Sequence, residues 1–124
     1  MKKVLIIDDE KDFGFFIKQN LELTGGYNVI VATGGKEGML AAQRAKPDLI
    51  LLDVIMPQMS GFEVLQALKD NKATTMIPVI MLTAVDTDEA KEKALGLYNE
   101  DYIVKPVAMS ELKAKIDSVL SRRF

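Results

Sequence analysis

Four short stretches carry residues that could do chemistry. "VLIIDDE" runs four aliphatics into Asp8, Asp9 and Glu10, "LILLD" ends in Asp53, "VIMLT" ends in Thr83, and "DYIVK" ends in Lys105 before Pro106. Carboxylates held together repel one another and resist ionising, so a cation is expected beside them. Asp8, Asp9 and Asp53 are hard oxygen ligands. They suit Mg²⁺, which takes one or two carboxylates, keeps several waters and leaves room for a phosphate oxygen. A carboxylate can also attack phosphorus and become an aspartyl phosphate. Lys105 could pair with a phosphoryl oxygen, and Thr83 could donate a hydrogen bond to another. Phosphoryl transfer is catalysed mainly by positioning and charge neutralisation, so such a site needs no histidine base.

For these residues to work together, the chain must bring them to one place. Its aliphatic runs, at 3–8, 27–33, 48–53, 77–83 and 101–105, are mostly continuous rather than alternating. That is the pattern of parallel strands covered on both faces. The segments between and after them read as helices at 11–24, 35–45, 61–70, 87–97 and 109–121. In the first, Phe13, Phe16, Ile17, Asn20 and Leu21 share a face at helical spacing. The second is rich in alanine, with Met39 and Leu40. The fourth has an inner face of only Ala90, Ala94 and Leu97, so it is expected to be the least firmly packed. Five strand–helix repeats imply an α/β, doubly wound parallel sheet with right-handed crossovers. In such a sheet, ligands bind at the carboxyl edge of the strands, where the strand order reverses. The acids, the hydroxyl and the ammonium all fall on that edge.

Taken singly, each residue has a plainer reading. Asp8-Asp9 could be a helix N-cap. Asp53 could be a turn residue before "VIMPQMSG", Thr83 a cap and Lys105 a solvated charge. Their joint placement is what the plain readings leave unexplained, and it favours a functional site. "TGGKEG" (33–38) lacks the Walker spacing and reads as a turn entering a helix. "TGG" (24–26) reads as a helix end, where glycine suits a left-handed cap.

The totals narrow the class. The 124 residues suit one domain, 1–124, and 48% hydrophobic with 27% charged is a globular composition. The net charge of −2 gives no reason to expect direct nucleic-acid binding. There is no cysteine and no histidine, so disulfides, thiolate sites and a phosphohistidine on this chain are excluded. No apolar run has the ~20 residues of a membrane span, and the N-terminus does not read as a signal peptide. A cytoplasmic, single-domain protein is expected.

"IIDDE" (6–10), "LILLDVIMPQMSG" (49–61), "VIMLTA" (79–84) and "DYIVKP" (101–106), in this order, resemble the receiver domain of two-component response regulators, a family that includes the single-domain chemotaxis regulator. The resemblance covers essentially the whole chain. It implies a flavodoxin-like (βα)5 fold with strand order 2-1-3-4-5. It implies that Asp53 accepts a phosphoryl group from a histidine kinase or histidine phosphotransfer protein. Mg²⁺ or Mn²⁺ would be bound by Asp9, by Asp8 directly or through water, by Asp53 and by the backbone carbonyl of Ile55. Thr83 and Lys105 would contact the phosphoryl group. Thr83 would move and Tyr102 would turn inward as the switch, and Lys105–Pro106 would be a cis peptide. Phosphorylation would remodel the face of the fourth helix, fifth strand and fifth helix. That face would dock an unknown protein, from a monomer or a phosphorylation-dependent homodimer.

Two departures from the family pattern stand out. "GLYNED" carries Tyr98 and Asn99 where the family has small residues, which changes the loop before the fifth strand. Tyr98 is either a partner anchor or a residue over the core edge. Ile55 and Val85, two residues after Asp53 and Thr83, are apolar and cannot orient a water, which predicts slow self-dephosphorylation. A phosphatase of the haloacid dehalogenase type would need an acid at position 55. The expectation is therefore a signalling switch rather than an enzyme. The alternatives are a receiver belonging to a longer regulator or hybrid kinase, and an interaction module that is never phosphorylated.

Overall fold

The five aliphatic runs form β1 (Lys2–Ile7), β2 (Tyr27–Ala32), β3 (Leu49–Leu52), β4 (Val79–Thr83) and β5 (Asp101–Val104). Between and after them lie α1 (Lys11–Thr24), α2 (Gly35–Ala45), α3 (Gly61–Asp70), α4 (Asp88–Gly96) and α5 (Met109–Arg123). The computed structural model describes residues 1–24, 26–97 and 99–123, with residue 123 described by its backbone alone. The expectation placed on Tyr98, and Gly25 of the expected first-helix cap, lie outside the described residues.

All strand pairings are parallel, in the order β2-β1-β3-β4-β5. Period-two alternation sorts the strand residues onto two faces. Val4, Ile6, Leu49, Leu51, Ile80 and Leu82 join Ile17 and Leu21 of α1 and Leu112 and Ile116 of α5 in one core layer. Leu5, Ile7, Ile50, Leu52, Val79 and Met81 join Val64, Leu65 and Leu68 of α3, Ala42 of α2 and Ala94 of α4 in the other. Both faces of the central strands are buried, which is why the strands read as unbroken aliphatic runs.

The helices follow the expected faces with two corrections. The buried residues of α1 are Gly14, Ile17 and Leu21. Phe16 lies one residue from Ile17, about 100° around the helix, and is exposed. In α2, Gly35, Gly38 and Ala42 are buried, Gly38 against Ile7 of β1 and Gly35 against Met59, and Leu40 is turned outward. The inner face of α4 is as thin as expected: only Ala90 and Ala94 are buried, and Leu95 is exposed. The helix is held at its start by Thr87, whose side chain accepts from the Ala90 N–H. Among the described residues no helix is long and apolar enough to cross a membrane.

Candidate functional site at the carboxyl edge of the sheet

Asp8, Asp53 and Lys105 each stand one residue past the end of a strand. Their backbones still belong to the ladder. The N–H of Asp8 donates to the Ala32 carbonyl, that of Asp53 to Ile7, and that of Lys105 to Thr83. The main chain of each is therefore fixed by the neighbouring strand, and the side chains emerge at one edge. The turn between β3 and α3 pins Asp53 further. The N–H of Gly61 donates to the Val54 carbonyl at 2.7 Å. A Cβ on Gly61 would fall 2.0 Å from the Asp53 carbonyl oxygen, so only glycine permits this approach. Ser60 and Glu63 close a capping box on α3 and fix where the turn ends.

The ammonium of Lys105 is the centre of the site. It lies 2.8 Å from Asp8 Oδ2, 3.3 Å from Glu10 Oε1 and 3.7 Å from Asp53 Oδ2. It also sits over the ring of Phe13, 4.0 Å from the centroid. One carboxylate oxygen each from Asp8, Glu10 and Asp53 lies within 4.8 Å of the others. Such a set of hard, charged oxygens fits a divalent cation of the Mg²⁺ type. Burial pushes the Asp8 carboxyl above its usual range, against the Lys105 ammonium and the Glu10 N–H, which favour its charge. Burial pushes Lys105 down, but Asp8, Asp53 and Glu10 more than offset it and its ammonium is held above the ordinary value. The remaining oxygen of Asp53, Oδ1, accepts from the Val54 N–H at 2.7 Å.

Of the residues singled out in the sequence, Asp8, Asp53 and Lys105 meet directly. Thr83 is buried at the end of β4, and its Oγ1 accepts from the Val85 N–H at 3.3 Å. Leu52 pairs with Met81, which places Asp53 and Thr83 on adjacent strand ends. Asp9 is exposed and stands outside the carboxylate trio, in which Glu10 takes the third place. The cause is local: Asp8 Oδ1 accepts from the Glu10 N–H at 2.9 Å, a turn that brings Glu10 back beside it. Ile55 lies in the β3–α3 turn with its side chain exposed. Tyr102 is half-buried against the α2/α3 core layer, and its hydroxyl donates to the Val85 carbonyl at 2.7 Å. Lys105–Pro106 is cis. From the sequence, Glu10 belongs to the acidic run without a ligand role and Phe13 only to the apolar face of α1. The Asx-turn spacing of Asp8 and Glu10 was the available signal for the first. A cavity of ≈ 750 Å³ between α3 and α4 is lined by Phe62, Gln66, Lys93 and Leu97 among others and includes none of the site residues.

Comparison with known proteins places the chain in a family. Residues 4–117 match the family model described as the response regulator receiver domain. Among curated relatives, the alkaline phosphatase synthesis transcriptional regulatory protein PhoP of Bacillus subtilis is 40% identical over 98% of this chain and 49% of its own length. The DNA-binding dual master transcriptional regulator RpaA of Synechocystis is 37% identical over 98% of this chain and 50% of its own. The chain thus spans about half the length of these relatives. Among solved structures, the Francisella response regulator 1452 receiver domain superposes with a TM-score of 0.91 at 32% identity, covering 100% of both chains. A CheY-like response regulator receiver domain protein from Methanospirillum hungatei gives 0.92 at 30% identity over 98% of this chain and 95% of that one. With its β2-β1-β3-β4-β5 sheet and its acids and lysine at the carboxyl edge, this chain belongs to the response regulator receiver domain family.

Proposed function

We propose that this receiver accepts a phosphoryl group on Asp53 and acts as a signalling switch rather than as an enzyme with turnover. The observation that carries the reading is the convergence of Asp53, Asp8 and Glu10 around the Lys105 ammonium. An Asp53 carboxylate oxygen attacks the phosphorus of a phosphohistidine on a kinase or phosphotransfer protein. The O–P bond forms as the P–N bond breaks, and the imidazole leaves with the electron pair. Lys105 neutralises charge on the transferred group, and Thr83, one strand over, donates to a phosphoryl oxygen once it turns toward Asp53. Mg²⁺ or Mn²⁺ would be held by Asp8, Asp53, Glu10 and the Ile55 carbonyl, with Asp9 turning in from its exposed position, and would supply further charge neutralisation when bound.

The output face is proposed to be α4, β5 and α5. The Thr83 hydroxyl, the Val85 backbone and the Tyr102 hydroxyl form one hydrogen-bonded chain from the site, through the loop that leads into α4, to β5. A shift of Thr83 would therefore be felt by a helix that has little apolar area to resist it. The place of action is proposed to be the cytoplasm.

The test is intact-mass spectrometry after incubation with acetyl phosphate, with and without Mg²⁺, on the wild type and Asp53→Ala. One added phosphoryl group that needs Mg²⁺ and vanishes in the variant is the expected result. No added mass, together with no binding of beryllofluoride, would overturn the reading in favour of a module that is never phosphorylated. A second reading is favoured by the relatives, which are named as transcriptional regulators of about twice this length. In it, the switched face controls a DNA-binding unit. The mass of the native protein that carries this segment separates the two readings.

A further inference from the structure

Lys105 has partners of two chemical kinds. Asp8, Glu10 and Asp53 are carboxylates, and all three belong to the group of oxygens that fits a divalent cation. One oxygen of Asp53 is also the proposed point of attachment of the phosphoryl group. Each of these partners has a second role that draws it away from the lysine. The Phe13 ring has none. It stands in the first turn of α1, packs against the α1/α5 core layer and presents its face to the ammonium at 4.0 Å from the centroid. The ring is partly buried and its packing against that layer restricts its motion, and the face of an aromatic ring attracts an ammonium through its quadrupole. The Lys105 side chain is only 12% exposed, which strengthens that attraction relative to a contact in open water.

We propose that Phe13 is a positioning residue for phosphoryl transfer: its ring keeps the Lys105 ammonium seated at the mouth of the site when the carboxylates turn to their other roles. Lysine has a long, flexible stem, and an ammonium released to solvent must be reordered before it can meet a phosphoryl oxygen. A seat on Phe13 keeps it within reach throughout. The proposal rests on the reading of Asp53 as phosphoacceptor, and its test separates the two.

Phe13→Leu keeps an apolar side chain on the core and removes the aromatic face; Phe13→Met does the same if the leucine variant fails to fold; Phe13→Tyr keeps the face. With acetyl phosphate and Mg²⁺, Phe13→Leu is expected to add the phosphoryl group roughly fivefold more slowly than wild type. Phe13→Tyr is expected to stay within about twofold. In a Lys105→Met background, Phe13→Leu should slow the reaction no further, which a purely structural role for Phe13 would not produce. Independently of any transfer, the ε-methylene protons of Lys105 should resonate upfield of the other lysines by ring-current shielding. They should stay there with Mg²⁺ and beryllofluoride, and lose the shift in Phe13→Leu. Unshifted Lys105 protons in the wild type, a wild-type rate for Phe13→Leu, or an equal slowing in the Lys105→Met background would each overturn the proposal. If the wild type accepts no phosphoryl group, the phosphoacceptor reading fails, while the Lys105 resonance still decides where the ammonium sits.

Discussion

Lys105 and Asp8 are 97 residues apart in the chain, and their charged atoms are 2.8 Å apart, with both side chains largely withdrawn from water. The pair joins the first strand end to the last across β3 and β4. Removing one partner of a buried pair leaves the other charge uncompensated. Lys105→Met is expected to lose about 2–3 kcal/mol of stability at pH 7 in the presence of chelator, read by urea unfolding. Mg²⁺ should then stabilise the variant more than the wild type, because no ammonium competes with the cation for the same oxygens. An equal gain in both proteins would show that lysine and cation do not compete.

A second ion pair lies on the α1/α5 side. The Tyr27 hydroxyl of β2 donates to Asp117 of α5, and Lys113 Nζ lies 2.7 Å from the same carboxylate. Burial raises the Asp117 carboxyl, but the Lys113 and Tyr27 hydrogen bonds outweigh it, leaving it below its usual 3.8. A carboxyl held below its unfolded value contributes stability above that value and loses it as pH falls through the folded one. Asp117→Asn should therefore be less stable than wild type at pH 7, by no more than about 1 kcal/mol because the pair is half-exposed. The gap should close below about pH 4. Tyr27 has the opposite sense: burial and the Asp117 charge push its hydroxyl above 10, so its contribution is complete below pH 10 and is lost on the alkaline side. A gap that is unchanged between pH 7 and pH 3 would show that the Asp117 charge is not involved.

Most of this architecture is legible in the sequence because its signals are long and repeated. Five aliphatic runs could hardly be anything but buried parallel strands, and Asp53 and Lys105 fall at the ends of such runs. The illegible part depends on single turns and rotamers. Asp9 and Glu10 differ by one position and both carry carboxylates, and only the turn closed by the Asp8 side chain decides which stands beside Lys105. Phe13 and Phe16 both fit a helical stripe, and the azimuth of α1 on the sheet packs one against the core and exposes the other. The seat of Lys105 on Phe13 needs α1 and β5 in the same frame, and no local pattern contains both.

Gly61 gives a sharper test of how the acceptor is held. The clash expected for a Cβ there is with the Asp53 main chain rather than with a side chain that could rotate away. Gly61→Ala must push β3 and α3 apart or displace the Asp53 carbonyl. It is expected to cost about 2–3 kcal/mol in unfolding free energy and to slow phosphorylation markedly even where the protein is folded. Wild-type stability and rate would show that the turn yields without moving Asp53.

The lifetime of the phosphorylated state should be set by two side chains outside the charged cluster. Ile55 is 67% exposed in the β3–α3 turn, two residues after Asp53, so replacing it disturbs little packing. Val85 is half-buried, but its ties to Thr83 and Tyr102 run through its backbone and survive substitution. Neither side chain can accept a hydrogen bond from an attacking water. Ile55→Asn or Val85→Glu supplies that acceptor, and either should speed loss of the phosphoryl group by roughly tenfold. The measurement is the decay of phosphorylated mass after removal of the donor, at constant Mg²⁺. Decay at the wild-type rate in both variants would mean that water already reaches the phosphorus unaided, and that hydrolysis is limited by departure from Asp53 rather than by alignment of the nucleophile.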